Sequence, residues 1–181
     1  MAEIRFAGYG GQGIIRSGII VGMAASIYDN KFSTMSQSFG PEARGGACSS
    51  QLVVSESKVL YPYVTRSDVL VAMSQEGYDI FEPELGEEGI LLTDEDLVKH
   101  KPPSGKVKVY SIPATRFAEQ LGIKIVANVV MLGFFTAVTN IVSYEAMKKA
   151  LPESVPKKAL DLNIKAFGKG YEYGKQKVTA Q

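Results

Sequence analysis

The sequence has very few of the residues that build cross-links and metal centres: of 181 residues, one is cysteine, one is histidine and none is tryptophan. One cysteine cannot close an intrachain disulfide or supply the four thiolates of an iron–sulfur cluster. Cys48 and His100 together also fall short of the four ligands of a structural zinc site. We therefore expect no metal held by this chain alone and a reducing, cytoplasmic location. Because the two residues stand in different predicted elements, a buried thiol and a surface imidazole are favoured over a nucleophile and its base.

An excess of charge of one sign is also missing, because 20 lysines and arginines stand against 19 acids. A balanced chain has no global field that would attract nucleic acid or another polyanion. The first residues, in which Glu3 and Arg5 flank a few apolar side chains, do not resemble a signal peptide. With 45% hydrophobic residues the chain can bury one core, so we expect a single domain over residues 1–181.

Long hydrophobic runs are scarce, and the most extended one is the uncharged stretch from Ile125 to Val142. Its length is the bare minimum for a membrane span, and it contains polar residues such as Asn128 and Thr136. A helix buried on all sides, in the core or in a subunit interface, is the better interpretation. We expect no membrane contact, and an uncharged helix of this kind would also allow the chain to form a homodimer.

Strands and helices alternate along the rest of the chain, which predicts an α/β fold: a mostly parallel, Rossmann-like sheet with helices on both faces. Residues Cys48–Ser55 and Val59–Val64 are predicted to pair as an antiparallel hairpin excursion that turns at Glu56 to Lys58. The Thr93 to Asp96 spacing predicts a capping box and a brief helix. The other predicted strands are 4–7, 31–37, 68–73, 89–93 and 106–112, and the helices are 13–28, 75–85, 114–121, 125–142, 143–151 and 156–168.

A glycine-rich turn follows the first predicted strand, where Gly8, Gly10 and Gly13 fit the pattern GxGxxG. Such glycines let a strand turn tightly into a helix and let backbone N–H groups approach a phosphate. A site for NAD would also need an acid after the second strand, and that place reads Met35 to Ser38. The pattern therefore leaves three interpretations open: a nucleotide-like ligand, a free-standing NAD or flavin enzyme, and a purely structural turn.

A second glycine loop, "SFGPEARGG" from Ser38 to Gly46, follows the second predicted strand. If the first two strands are adjacent and parallel, both loops lie at the same edge of the sheet and share a crevice. Arg44 would bring a guanidinium suited to phosphate or carboxylate, or would form a salt bridge. Gln12 would offer one donor group and one acceptor to a ligand, or would act as a helix-capping or solvent-facing amide.

Five segments in this order resemble the gamma subunit of 2-oxoacid:ferredoxin oxidoreductases. They cover nearly the whole chain: "GYGGQG", "SFGPEARGG", "DVLVAMSQE", "NVVMLG" from Asn128 to Gly133, and "LNIKAFGKGYEYG". The resemblance implies a subunit, inactive alone, of a complex that oxidatively decarboxylates a 2-oxo acid to an acyl-coenzyme A. It implies alpha and beta subunits as partners, with a delta subunit as an option, and ferredoxin as a partner through the complex.

The resemblance also implies where the cofactors bind. Thiamine diphosphate and iron–sulfur clusters would belong to the partner subunits, which agrees with the single cysteine and with the lack of a GDG signature. Coenzyme A would bind at a shared site, with Gly10, Gly11, Gln12 and Gly13 at a phosphate and Arg44 nearby. The resemblance implies no catalytic residue in this chain. The "PEARGG" loop is more similar to 2-oxoglutarate members than to pyruvate members, so 2-oxoglutarate is the expected substrate.

The segment from Lys157 to Gln181 carries six lysines against Asp161 and Glu172. Leu160, Ile164 and Phe167 recur there at helical spacing and should bury one face of a helix. The lysines would then face outward, as a docking surface for an acidic partner or, in the favoured interpretation, as ordinary solvated charge.

Overall fold

Six strands form one mixed sheet in the order β2-β3-β1-β4-β5-β6. The computed structural model describes residues 1–39, 46–103 and 105–179. Strand β3 runs antiparallel to β2 and to β1, whereas β1, β4, β5 and β6 are mutually parallel. The strands are β1 Ala2–Tyr9, β2 Phe32–Phe39, β3 Ala47–Ser55, β4 Ser67–Ala72, β5 Leu85–Asp94 and β6 Lys108–Ile112.

Helices cover both faces of the sheet. On one face, a large core packs helices against residues such as Phe6 and Leu52; on the other, Tyr78 packs against Ala7 and Leu70. The helices are α1 Ile14–Met23, α2 Gln75–Phe81, α3 Ala114–Gln120, α4 Ala127–Thr139, α5 Tyr144–Ser154 and α6 Leu160–Thr179. A π-helical turn, Ala24–Tyr28, extends α1, and short 3-10 turns lie at Glu82–Glu84, Lys124–Val126 and Lys157–Ala159. The predicted α/β class is confirmed.

The predicted hairpin partner is wrong. Residues 59–64 form no strand, and the hairpin consists instead of β2 and β3. The physical reason is that β3 already has β2 on one side and β1 on the other, so neither edge remains for a further strand. The first two strands are consequently not adjacent, because β3 lies between them.

The predicted capping box after β5 is also wrong, because residues 95–97 form only a turn. The Thr93 hydroxyl hydrogen-bonds to the Ser111 hydroxyl of β6 at 2.8 Å and caps no helix. The Asp94 carboxylate makes the capping bonds instead. It accepts the Asp96 N–H at 3.1 Å and the Thr115 N–H, at the start of α3, at 2.9 Å. Burial raises the pKa of the Asp94 carboxyl, while the bonds from Thr115 oppose that rise.

Helix α4 is the uncharged helix that the sequence predicts, and every residue from Ala127 to Thr136 is buried. It is shorter than predicted, and Ile125, which precedes it, is 71% exposed. Its surface is covered by the sheet, through Phe6 and Phe135, and by α6. Because α4 is buried within its own chain, it is not available for the predicted self-interface. Within residues 1–39, 46–103 and 105–179, no helix combines the length and apolarity that crossing a bilayer requires.

Helices α4 and α6 cross at unusually short range, which three glycines permit. A methyl group on Gly133 would overlap the backbone of Phe167 in α6, and one on Gly170 would overlap the carbonyl of Val130 in α4. Gly174 allows a similar approach to Phe134 and Ala137. Helix α6 extends beyond the predicted end at residue 168, to Thr179, and this contact fixes the two helices that form one wall of the cleft described below.

Candidate functional site

The first glycine loop joins the end of β1 at Tyr9 to the start of α1 at Ile14. Gly11 and Gly13 have φ angles of 97° and 77°, in the left-handed region that favours glycine. A side chain on Gly13 would also overlap the amide of Asn128 in α4. The loop therefore needs glycine at both positions; Gly13 is the last glycine of the GxGxxG pattern, whereas Gly11 stands at one of its variable positions.

The Gln12 side chain fastens this loop to the sheet. Its Oε1 accepts the Tyr9 N–H at 2.7 Å, and its Nε2 donates to the Met73 carbonyl, just after β4, at 2.8 Å. Both polar ends of the amide thus bond inside the chain to the ends of two strands, so Gln12 is neither the helix-capping amide nor the solvent-facing amide that the sequence suggests. Any contribution of Gln12 to a ligand site is to hold the loop in shape.

Replacing Gln12 by alanine should lower the free energy of unfolding by about 1–3 kcal/mol, because two hydrogen bonds are lost and a partly buried carbonyl loses its donor. Urea unfolding measures this loss, and hydrogen exchange at the Tyr9 amide should accelerate. Gln176→Ala, on the exposed face of α6, is the matched control and should change little. Equal effects of the two substitutions would show that Gln12 does not fasten the loop.

The second glycine loop reaches the same edge of the sheet as the first. The Gly10 N–H donates to the Gly46 carbonyl at 3.3 Å, and Cys48 of β3 pairs with Gly8 on one side and Phe39 on the other. The ends of the second loop therefore lie at the predicted edge, although β3 separates the first two strands, and the shared crevice stays a prediction. Arg44 and its neighbours, residues 40–45, lie outside the described residues.

A cleft of about 470 Å³ opens beside the first glycine loop. Its first wall is the glycine loop and the first turn of α1, with Cys48 at the base. Its second wall is mostly apolar and comprises Ile123, Ile125, Val126, Asn128, Val129, Val155, Pro156, Ala159, Leu162 and Asn163. The cleft thus combines a backbone-rich side with a hydrophobic side.

Arg16 adds a positive charge to the first wall and is the residue that sequence reasoning missed. It is exposed, lies in the first turn of α1 and lines the cleft. No described side chain caps the start of α1, so its first N–H groups point outward with the positive end of the helix dipole. A guanidinium beside such N–H groups suits an anion, above all a phosphate. Its position three residues after the last glycine of the motif is the signal that could have found it.

A second, smaller cavity of about 270 Å³ lies on the other side of the loop. It lies between the ends of β1 and β4, where the chain connections leave the sheet in opposite directions, the usual ligand position in open α/β sheets. Gly11 and Ile125 line both cavities and form the boundary between them. The remaining lining residues are Gln12, Met73, Leu97, Thr115, Lys124 and Ala127.

Cys48 and His100 lie in separate parts of the molecule. Cys48 is buried in β3, and burial raises the pKa of its thiol. His100 is exposed in the loop after β5, where its ring nitrogen bonds to the Lys101 carbonyl at 2.9 Å. The structure agrees with a buried thiol and a surface imidazole, not with a nucleophile and its base.

Cys48 should react slowly with a thiol reagent in the folded protein and at least tenfold faster in denaturant, since a raised pKa leaves less thiolate at neutral pH. The rate of modification by a chromogenic disulfide, with and without urea, measures this difference. Fast modification of the folded chain would contradict the buried position of this thiol.

Residues 3–173 match the family described as pyruvate ferredoxin/flavodoxin oxidoreductase. The chain belongs to this family. Among its relatives, the 2-oxoglutarate synthase subunit KorC of Methanocaldococcus jannaschii is 51% identical over 96% of this chain and 94% of the relative. The pyruvate synthase subunit PorC of Methanothermobacter thermautotrophicus is 35% identical over 95% of both chains.

Solved structures of family members have the same fold. The gamma subunit of a keto/oxoacid ferredoxin oxidoreductase from Geobacter sulfurreducens superimposes with a TM-score of 0.85 at 43% identity, over 96% of this chain and 98% of that one. The 2-oxoglutarate:ferredoxin oxidoreductase from Magnetococcus marinus gives a TM-score of 0.88 at 26% identity, over 97% of this chain and 31% of that chain. The predicted resemblance to a gamma subunit of an oxidoreductase is confirmed.

Proposed function

We propose that this chain is the gamma subunit of a cytoplasmic, multi-subunit 2-oxoglutarate:ferredoxin oxidoreductase, in which it helps to bind coenzyme A and to assemble the complex. The complex would oxidatively decarboxylate 2-oxoglutarate to succinyl-coenzyme A and pass two electrons to ferredoxin. Alpha and beta subunits, with or without a delta subunit, would hold thiamine diphosphate and the clusters. Residues 1–181 would act as one gamma-type domain without a catalytic residue of its own.

The observation that carries the coenzyme A proposal is the uncapped start of α1 after the first glycine loop, with Arg16 beside it. Backbone N–H groups and a guanidinium would bind a phosphate of the ligand. The apolar wall that includes Val126, Val155 and Leu162 would contact the uncharged pantetheine arm. Coenzyme A has charged phosphates and a largely uncharged pantetheine arm, so its two parts match the polar and the apolar side of the cleft.

Two further observations support the ligand and substrate. The Magnetococcus marinus relative was solved with 2-oxoglutarate, coenzyme A and succinyl-CoA bound, and this chain corresponds to 31% of that longer chain. Three KorC relatives, described as 2-oxoglutarate synthase subunits, are 51%, 44% and 43% identical to this chain. Relatives described as pyruvate synthase subunits reach 35% and 34%, which favours 2-oxoglutarate over pyruvate.

Two alternatives remain distinguishable by experiment. A free-standing NAD or flavin enzyme would need an acid for the ribose, and the end of β2 carries Gln37 and Ser38 instead. A purely structural subunit would bind no ligand at all. In a thermal shift assay of the assembled complex, coenzyme A should raise the melting temperature of the subunit and NAD should not, because a ligand of the folded state stabilises it.

Pull-down from native extract with this chain as bait tests the subunit proposal. We expect partners that contain clusters and thiamine diphosphate, and coenzyme A-dependent reduction of a viologen dye by the retained material with 2-oxoglutarate. Recovery of the chain alone, with no such activity, would contradict the proposal. Activity with pyruvate in place of 2-oxoglutarate would correct the substrate and leave the subunit assignment intact.

A further inference from the structure

Strand β2 is an edge of the sheet that has unusually little protection among the described residues. It stands at the end of the strand order and pairs with β3 over eight consecutive residues without a bulge. Its sequence, FSTMSQSF, contains no charge and no proline. Sheets ordinarily protect an exposed edge with charges, prolines, bulges or short strands, and the opposite edge follows that rule, since β6 has five residues and begins at Lys108.

The flank of α1 that lies above β2 also has few charged side chains. The Ser33 hydroxyl of β2 donates to the Gly22 carbonyl at 2.9 Å, which shows that this side of α1 overhangs β2. Ile19 and Ser26 share that side with Gly22 at spacings of three and four residues. Ile19 is 46% exposed, although its side chain is fully apolar. From Ile19 to Ser26 the flank is therefore small, largely apolar and uncharged, and Arg16 is the charged residue at its start.

Charge is nearly missing from the whole surrounding segment. Between residues 17 and 41 the sequence contains only Asp29 and Lys31 as charged residues. The Asp29 carboxylate accepts the backbone N–H and the hydroxyl of Ser143 at 2.7 and 2.6 Å. The Lys31 ammonium donates to the Ile141 carbonyl at 2.8 Å and pairs with Glu56 at 3.3 Å. Both charges thus bond within the chain, and the residues of β2 itself carry none.

We propose that β2 pairs antiparallel with β2 of a second copy of this chain, about a two-fold axis, so that one sheet continues through both copies. An uncharged strand can lie opposite itself without bringing like charges together. The same rotation brings the flank of α1 onto its own copy, where the exposed side chain of Ile19 can pack against the same flank. Both layers, strand and helix, are therefore self-complementary, as an isologous interface requires. This inference is independent of the proposed coenzyme A site.

Sedimentation of the full chain over a concentration series tests the pairing. The native chain should give twice the monomer mass. The double variants T34K/S36K and T34E/S36E, which add charges to partly exposed positions of β2, should each give the monomer mass, because like charges then face each other. An equimolar mixture of the two variants should restore the dimer. Thr65→Lys, at an exposed position away from β2, should leave the native dimer unchanged.

If a charged variant unfolds, hydrogen exchange in the native chain still tests the pairing of β2. In the native chain, the backbone amides of β2 should be protected more strongly as concentration rises, whereas those of β6 should not change. A native chain that stays monomeric at every concentration would overturn the proposal. A dimer that both charged variants retain while folded would also overturn it. So would protection of β2 only after the other subunits are added, since a different protein would then cover this edge.

Discussion

Gly170→Ala should lower the free energy of unfolding by about 3 kcal/mol or more. Helix α6 lies so close to α4 at this point that the added methyl group would overlap the Val130 carbonyl, which is backbone and cannot rotate away. Overpacking of a well-packed core usually costs about 1–3 kcal/mol, and an overlap with backbone belongs at the upper end or above it. Thermal and urea unfolding of the two proteins measure the loss.

The matched control is Gly168→Ala, two residues earlier in the same helix. A methyl group there meets nothing within 4 Å, and alanine restricts the unfolded chain, so stability should stay the same or rise by up to about 1 kcal/mol. Similar effects of the two substitutions would contradict the close crossing of α4 and α6. Because this crossing holds the wall that carries Asn128 and Asn163, Gly170→Ala should also weaken coenzyme A binding.

Arg16→Ala should raise the KM of the assembled complex for coenzyme A by roughly 10- to 100-fold, while kcat at saturating coenzyme A stays close to the native value. The estimate corresponds to one charge-assisted hydrogen bond of about 1.5–3 kcal/mol to a phosphate. Because Arg16 would contact the ligand away from its reacting thiol, the loss should appear in binding and not in turnover. Steady-state kinetics with 2-oxoglutarate and a viologen dye measure both constants.

Arg66→Ala is the control for the loss of a positive charge, since Arg66 pairs with Glu87 away from the cleft and should leave the KM unchanged. Arg16→Lys keeps the charge but loses the guanidinium fork and should give an intermediate KM. An unchanged KM in Arg16→Ala would mean that the positive charge beside α1 does not bind the ligand. An equal rise in Arg66→Ala would reveal a general electrostatic effect.

The sequence predicts the parallel part of the fold well because each of its elements has a local signal. The apolar run of β4 and the buried pattern of α4 indicate their environment without reference to other elements. The hairpin fails for a non-local reason: Val59–Val64 has strand-like residues, but β2 and β1 already occupy both edges of β3. No pattern within residues 59–64 indicates which strands pair with β3.

In the candidate site, too, the sequence predicts the local features and leaves the non-local ones open. The GxGxxG pattern predicts the turn, because the positive φ angle at Gly13 is a local requirement for glycine; Gly11, whose φ angle is also positive, stands at a variable position of the pattern. The bonds of Gln12 to Tyr9 and Met73 depend on β1 lying beside β4, so the motif alone leaves its role open. Likewise, the second wall comes from residues 123–163, more than a hundred positions along the chain. Only the folded chain brings that wall to the glycine loop.

Hydrogen exchange in the assembled complex tests most directly whether the cleft of this chain binds coenzyme A. Adding coenzyme A should slow exchange of the amides of Gly11 and of Gly13 to Arg16, because a phosphate would accept their hydrogen bonds, and should protect the opposite wall near Asn128. The amides of Gly10 and Gln12 already donate within the chain. Amides of α2, on the other face of the sheet, serve as the internal reference. If saturating coenzyme A leaves exchange of Gly11 and of Gly13 to Arg16 unchanged while the complex turns over, the ligand binds elsewhere and the proposed role of the glycine loops is wrong.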